Sequence, residues 1–148
     1  MRNNQEALSK APSLLKLGAC LIYEALVVMA LSLVCVSVLI FLVGDATQGV
    51  KRYLLQVFLL VAVGVYFIWC WHRNGQTLAM QTWNLKLVGP DGRLVLFKMA
   101  IARYLLACAG LILFGLGFLW VFVDRDRLFL HDRLLKNRII YVRRDTAS

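Results

Sequence analysis

The sequence predicts an all-α integral membrane fold, with two full transmembrane helices, a third apolar helical region that is re-entrant or kinked, and a small cytoplasmic β-element. Three observations carry this expectation. Of 148 residues, 61% are hydrophobic, against roughly 45–50% in an ordinary soluble domain, and the mean hydropathy is +0.72. So much apolar surface cannot be buried in one small core, and lipid is the simplest solvent for it. The apolar residues are also gathered into three long runs. Finally, the Lys and Arg residues behind the net charge of +9 avoid those runs and flank them.

The first run extends from Leu17 to Val43, with Glu24 as its only charge. A signal-peptide apolar region is about 7–15 residues long and ends at a small-x-small site. This run is longer, and Gly44-Asp45-Ala46-Thr47 does not fit that cleavage pattern. It reads as a retained transmembrane helix over about 16–43, with its start signalled near Pro12-Ser13. A polar turn at 44–49 leads to a second span over about 51–71, and the two form an antiparallel hairpin. Tyr53 at one end and Trp69 and Trp71 at the other suit membrane interfaces.

The polar stretch 72–98 stops the second helix and contains Thr77 to Trp83, which suits a short amphipathic helix in the interface. Asn84 to Val88 alternates like a strand. Gly89-Pro90-Asp91-Gly92 is a turn, in which Pro presets its own backbone angle and Gly takes the left-handed position. Arg93 to Phe97 then reads as the returning strand of a hairpin. The third apolar region covers 99–123, interrupted by Arg103, and a charged tail occupies 124–148. Within that tail, Arg138 to Val142 has strand character. The whole chain, 1–148, is expected to be a single membrane domain.

Basic residues mark the cytoplasmic side of a membrane protein. They crowd the N-terminus (Arg2, Lys10, Lys16), the middle segment (Arg73, Lys86, Arg93, Lys98) and the tail (among them Arg133, Lys136, Arg138, Arg143 and Arg144). Two spans satisfy the first two placements, with the N-terminus cytoplasmic in a bacterial inner membrane. A third region that crosses once puts the most basic segment outside. A third region that enters and leaves on one side does not, and Gly110, Gly115 and Gly117 provide places to bend. Two arms of about 11 residues reach only about half-way through a ~30 Å apolar core. The alternative is an ordinary span in which those glycines pack against other helices. The re-entrant form makes two further demands. It brings Arg103 and Asp124 to one face, where they can pair, and it lets the 138–142 strand join the 84–97 hairpin.

Glu24 is the first candidate for function. It lies about seven residues, or ~10 Å, inside the first run. A carboxylate there faces a protein interior or a watery cavity, and either suits proton or cation handling. A hydrogen bond that only fixes helix packing is the plainer reading. Lys16, two turns earlier on the same side, can snorkel to the interface. His131-Asp132 invites reading as an acid–base pair, but adjacent residues do not face one another, so capping and ion pairing are expected instead. Gly75-Gln76-Thr77 lacks the glycine pattern of a phosphate loop. The four cysteines, Cys20, Cys35, Cys70 and Cys108, show neither CxxC spacing nor a nearby His, which suits packing or lipid-facing thiols. No metal, cofactor or enzyme activity is expected. The positive charge suits anionic headgroups of the bilayer. A nucleic-acid binder clusters its cations on a polar surface, so no nucleic-acid partner is expected.

Several short motifs occur in order. They are Gly75-Gln76-Thr77-Leu78-Ala79-Met80 with Leu85 to Val88 and Asp91-Gly92, then Arg103-Tyr104-Leu105, then Gly115 to Trp120, and finally His131-Asp132-Arg133-Leu134. In this arrangement the chain resembles the RDD family of membrane proteins, from about Lys16 to Val142. The family is named for an arginine that starts the first transmembrane helix, an aspartate within it, and an aspartate near the C-terminus. Here Lys16 and Glu24 stand at the first two positions, Asp132 at the third, and Ala79 replaces a usual glycine. Lys keeps the charge of Arg but not its planar two-bond geometry. The resemblance implies a membrane protein, and it suggests transport of a small solute or ion. Lys16, Glu24, Arg103 and Asp132 are then the polar residues of interest, with Gln76, Thr77, Asp124 and His131 in support. Two spans are too few to enclose a pathway, so a homo-oligomer or a membrane partner is expected. The alternative is a non-transporting subunit or scaffold that binds a partner protein or anionic lipid.

Overall fold

Ser13 opens the first helix, its hydroxyl accepting a hydrogen bond from the backbone N–H of Lys16 at 3.4 Å, as helix N-caps do. The computed structural model describes residues 12–44, 49–113, 115–126 and 128–142. The stretch before residue 12 with Arg2 and Lys10, the turn at 45–48, Arg127, and the tail from 143 onward with Arg143 and Arg144 lie outside the described residues. Helix α1 runs Leu14–Val43 and α2 runs Val50–Arg73. Both are long and apolar enough to cross a membrane. At ~1.5 Å per residue they exceed the ~30 Å apolar layer, so each has length to spare for tilt.

Asn74 and Gly75 end α2, and Gly75 adopts φ +70. Helix α3, Leu78–Thr82, follows with Thr77 as its cap, close to the expected interfacial helix. Strand β1, Leu85–Val88, comes next, and the Pro90 turn forms as expected. Gly92 is left-handed at φ +72, and the N–H of Gly89 donates to the Arg93 carbonyl at 2.9 Å.

The expected hairpin does not form beyond that turn. Leu94 to Leu96 leave the ladder, and helix α4 starts at Phe97 and ends at Ile112. The edge of β1 facing away from the tail is already occupied. Leu87 N–H donates to the Gly75 carbonyl at 2.7 Å, and Gln76 Nε2 donates to the Leu85 carbonyl at 2.6 Å. The other edge pairs with β2, Arg138–Tyr141, in an antiparallel register that sets Leu85 against Tyr141 and Val88 against Arg138. Val95 turns into the core instead, and its carbonyl contacts His72 Nδ1 at 3.3 Å.

The third apolar region doubles back. Beyond α4, Gly115 takes φ +74, and the chain returns through α5, Leu116–Leu119, and a 3-10 turn, Trp120–Phe122. Gly110 and Gly117 meet across this bend. A Cβ added at Gly117 lies 3.1 Å from the Gly110 Cα, so two glycines are what allow the approach. The arms are unequal, 16 residues out and a much shorter return, rather than two of equal length. A short helix α6, Leu130–Leu134, then packs against α4.

Helix α4 also lies close against α2. A Cβ at Gly64 meets the Tyr104 ring at 2.9 Å, and the Tyr104 hydroxyl donates to the Leu60 carbonyl at 2.7 Å. One core joins the start of α1 (Leu17, Cys20), the end of α2 (Trp71), α3 (Ala79, Met80), β1 (Leu85, Leu87), Val95, Ala100, Val121, Phe129 and Ile139 of β2. The start of α1, the middle segment and the described part of the tail, up to Val142, therefore form one body at one end of the two long helices.

Candidate functional site

Glu24 sits ten residues into α1, roughly 15 Å along the helix from Leu14. Two hydroxyls serve its carboxylate. Tyr66 of α2 donates to Oε1 at 3.2 Å, and Thr77 donates to Oε2. Each hydroxyl also accepts a backbone N–H from the first turn of α3, Tyr66 from Leu78 at 3.3 Å and Thr77 from Met80 at 3.3 Å. A hydroxyl has one proton, and a lone pair taken by an N–H leaves that proton free to point at the carboxylate. Gln76 does not reach Glu24, since its amide is spent on β1. Among the described residues, Glu24 makes no salt bridge.

A second cluster lies beside the first. Arg103 of α4 grips Asp132 of α6 through two bonds, Nε to Oδ1 at 2.6 Å and Nη2 to Oδ2 at 3.0 Å. The pair is buried, with Arg103 5% and Asp132 0% exposed. The guanidinium lies over the Trp71 ring, 4.1 Å from its centroid, which adds a cation–π contact in a dry site. Arg103 is also close enough to act electrostatically on Glu24.

The re-entrant form allows Arg103 to pair with Asp124, but the structure pairs Arg103 with Asp132. Asp124 instead stays at the end of the return arm, where its Oδ2 accepts the N–H of Asp126 at 3.2 Å and of Leu128 at 3.1 Å while Oδ1 binds Arg133. A carboxylate that satisfies its own loop is unavailable to Arg103, and Asp132 fills that role from α6.

His131 is 3% exposed. It stacks on Phe129 at 5.5 Å and meets the edge of Phe118 at 5.4 Å, and its Nε2 lies 3.7 Å from Asp132 Oδ2. Burial pushes its pKa down to about 4, with Asp132 opposing and Arg103 assisting. The imidazole is therefore neutral at pH 7 and leaves Asp132 to Arg103. Lys16 remains at the start of α1, with Nζ 4.2 Å from the centre of the Tyr141 ring. It ties α1 to β2 and does not join Glu24.

Of the residues singled out in the sequence, the fold brings together Glu24 with Thr77, and Arg103 with Asp132 and His131. Lys16, Gln76 and Asp124 serve the surrounding frame. Tyr66 and Trp71 were missed as site residues. Trp71 was read as interfacial like Trp69, yet Trp71 is 4% exposed and Trp69 61%. The signal was present in the spacing: Gly64, Phe67, Ile68 and Trp71 fall at i, i+3, i+4 and i+7, one helical face, and Trp69 falls off it. All four cysteines are free thiols. Among the described residues, no three His, Cys, Asp or Glu side chains converge to hold a metal ion.

The sequence pattern of the RDD family matches residues 14–136. No curated protein and no solved structure matches the chain.

Proposed function

This chain belongs to the RDD family, and on that premise we propose that it moves a small solute or ion across a bacterial inner membrane as an oligomer. In this reading α1 and α2 cross the membrane with the N-terminus cytoplasmic, and α4 with its return arm enters and leaves on the cytoplasmic side. The pairing of β1 with β2 supports that placement, because it joins segments on either side of the third apolar region, and the Arg103–Asp132 pair ties the outgoing arm to the segment after the return.

The observation that carries the transport reading is the state of Glu24. It is the one charge in the apolar run of α1, and hydroxyls hold it rather than a cation. A salt bridge favours the charged carboxylate strongly, whereas neutral donors favour it less and leave the group better able to exchange a proton or cation. Arg103 and Asp132 neutralise each other nearby and frame the site. Two spanning helices do not enclose a path, so the pathway forms between copies of the chain or with a membrane partner.

The test has two parts. Mass measurement in lipid nanodiscs gives a defined oligomer for the wild type and for Glu24→Gln, which keeps the shape of the side chain. Proton and monovalent-cation flux into proteoliposomes is lost in Glu24→Gln. A wild-type monomer, or flux indifferent to Glu24→Gln, removes this reading. A membrane subunit that binds a partner or anionic lipid is the second reading, favoured by Lys136 and Arg138, which have no carboxylate partner among the described residues. Co-purification of a stoichiometric membrane protein, abolished by changes in the β1–β2 ribbon, supports it.

A further inference from the structure

A cavity of about 330 Å³ opens beside the connection from α6 to β2, with Pro90, Asp126, Arg133, Lys136, Asn137 and Arg138 in its wall. At ~30 Å³ per water it has room for roughly ten waters, ample for a phosphate group. Its charge is unbalanced. Arg133 is engaged by Asp124 and lies 3.6 Å from Asp126, while Lys136 and Arg138 are exposed and, among the described residues, unpaired. Two further features mark the wall. The Asn137 side chain is 0% exposed, and neither its Oδ1 nor its Nδ2 has a hydrogen-bond partner among the described residues. Buried amides are normally satisfied. Lys136 stands at φ +56 just past the end of α6, where helices favour glycine or asparagine. A lysine there keeps a cation at the cavity against the preference of the backbone.

We propose that this cavity binds the phosphate group of an anionic ligand, with Lys136 and Arg138 as its charge partners. Cations pair with phosphate through short charge-assisted bonds. The same chemistry is offered by two sources, the headgroup of an anionic lipid and a soluble phosphate ester. The cavity shares no side chain with the Glu24 and Arg103–Asp132 clusters, so this inference stands apart from the transport reading and is tested by binding rather than flux.

The full chain is placed in nanodiscs. One arm measures enrichment of phosphatidylglycerol over phosphatidylcholine around the protein by native mass spectrometry. The other titrates glycerol 3-phosphate into phosphatidylcholine nanodiscs by calorimetry. The variant Lys136→Gly with Arg138→Gln weakens binding by about tenfold or more, since one charge-assisted contact is worth roughly that factor. Its thermal midpoint holds, because glycine relaxes the backbone at 136. If the pair does not fold, Lys136→Gly alone carries the test. A control, Arg73→Gln with Arg125→Gln, removes the same charge elsewhere and leaves binding unchanged. Lipid enrichment alone assigns the site to a headgroup, and glycerol phosphate binding alone assigns it to a soluble ester. The proposal is overturned if the wild type prefers neither ligand, if the cavity variant binds like the wild type, or if the control loses as much.

Discussion

At Arg103 the choice of residue type matters more than its charge. The guanidinium makes two bonds to Asp132 and lies over the Trp71 ring, and Lys cannot make the two-bond contact. Removing one partner of a buried pair leaves an uncompensated charge, at a cost of about 3–5 kcal/mol. Asp132→Asn is therefore expected to lower unfolding free energy in detergent micelles by about 3 kcal/mol, and a loss below ~1 kcal/mol contradicts the buried pair. His131, next in sequence, supplies a pH dependence. Its folded pKa of about 4 lies below the ordinary 6.5, so the unfolded chain binds the proton first. Stability contributed by the neutral imidazole is complete above about pH 6.5 and is lost as pH falls towards 4, a loss of order 3 kcal/mol. Unfolding measured between pH 7 and pH 4 shows this slope in the wild type, and His131→Phe flattens it. An unchanged slope means that another group carries the acid sensitivity.

Among the elements, Gly75 links α2 to β1. Its φ is +70, and a Cβ there falls 2.8 Å from the Leu87 carbonyl oxygen. Gly75→Ala strains the backbone and pushes on the strand, with an expected loss of about 2 kcal/mol. Amide exchange at Leu87, whose N–H is bonded to the Gly75 carbonyl, reads the damage directly. Exchange as slow as in the wild type contradicts the role given to Gly75. The segment also shows where the sequence is legible. The helices α1 and α2 are readable because an uninterrupted apolar run of that length has few other solutions in water or lipid. Strand β1 is readable from its alternation, and the Pro90 turn from its chemistry. The partner of β1 is not, because period-2 patterning says that a segment is extended and says nothing about which edge it meets. Arg93 to Phe97 has the right pattern, but Gly75 and Gln76 hold the edge it needed. Glu24, Arg103 and Asp132 stood out individually as charges near apolar runs. Tyr66 did not, because a hydroxyl at the tip of an aromatic ring barely disturbs hydropathy.

On the scale of the whole molecule, large apolar side chains stay exposed along α1 and α2 and on the doubled-back region, including Phe41, Leu54, Leu105, Ile112 and Val123. They form the surface that lipid covers, while the buried core gathers at one end with the charged segments. The organisation rests on the third region turning back at Gly115, so that β2 reaches β1 and Asp132 reaches Arg103. A region that crossed the membrane once separates those partners by the full thickness of the bilayer, ~30 Å of hydrocarbon. The most direct measurement is the location of a reporter fused after Ser148, compared with one fused after Lys86, in intact cells. Both reporters on the cytoplasmic side is the result expected. A periplasmic reporter after Ser148 with a cytoplasmic one after Lys86 contradicts it.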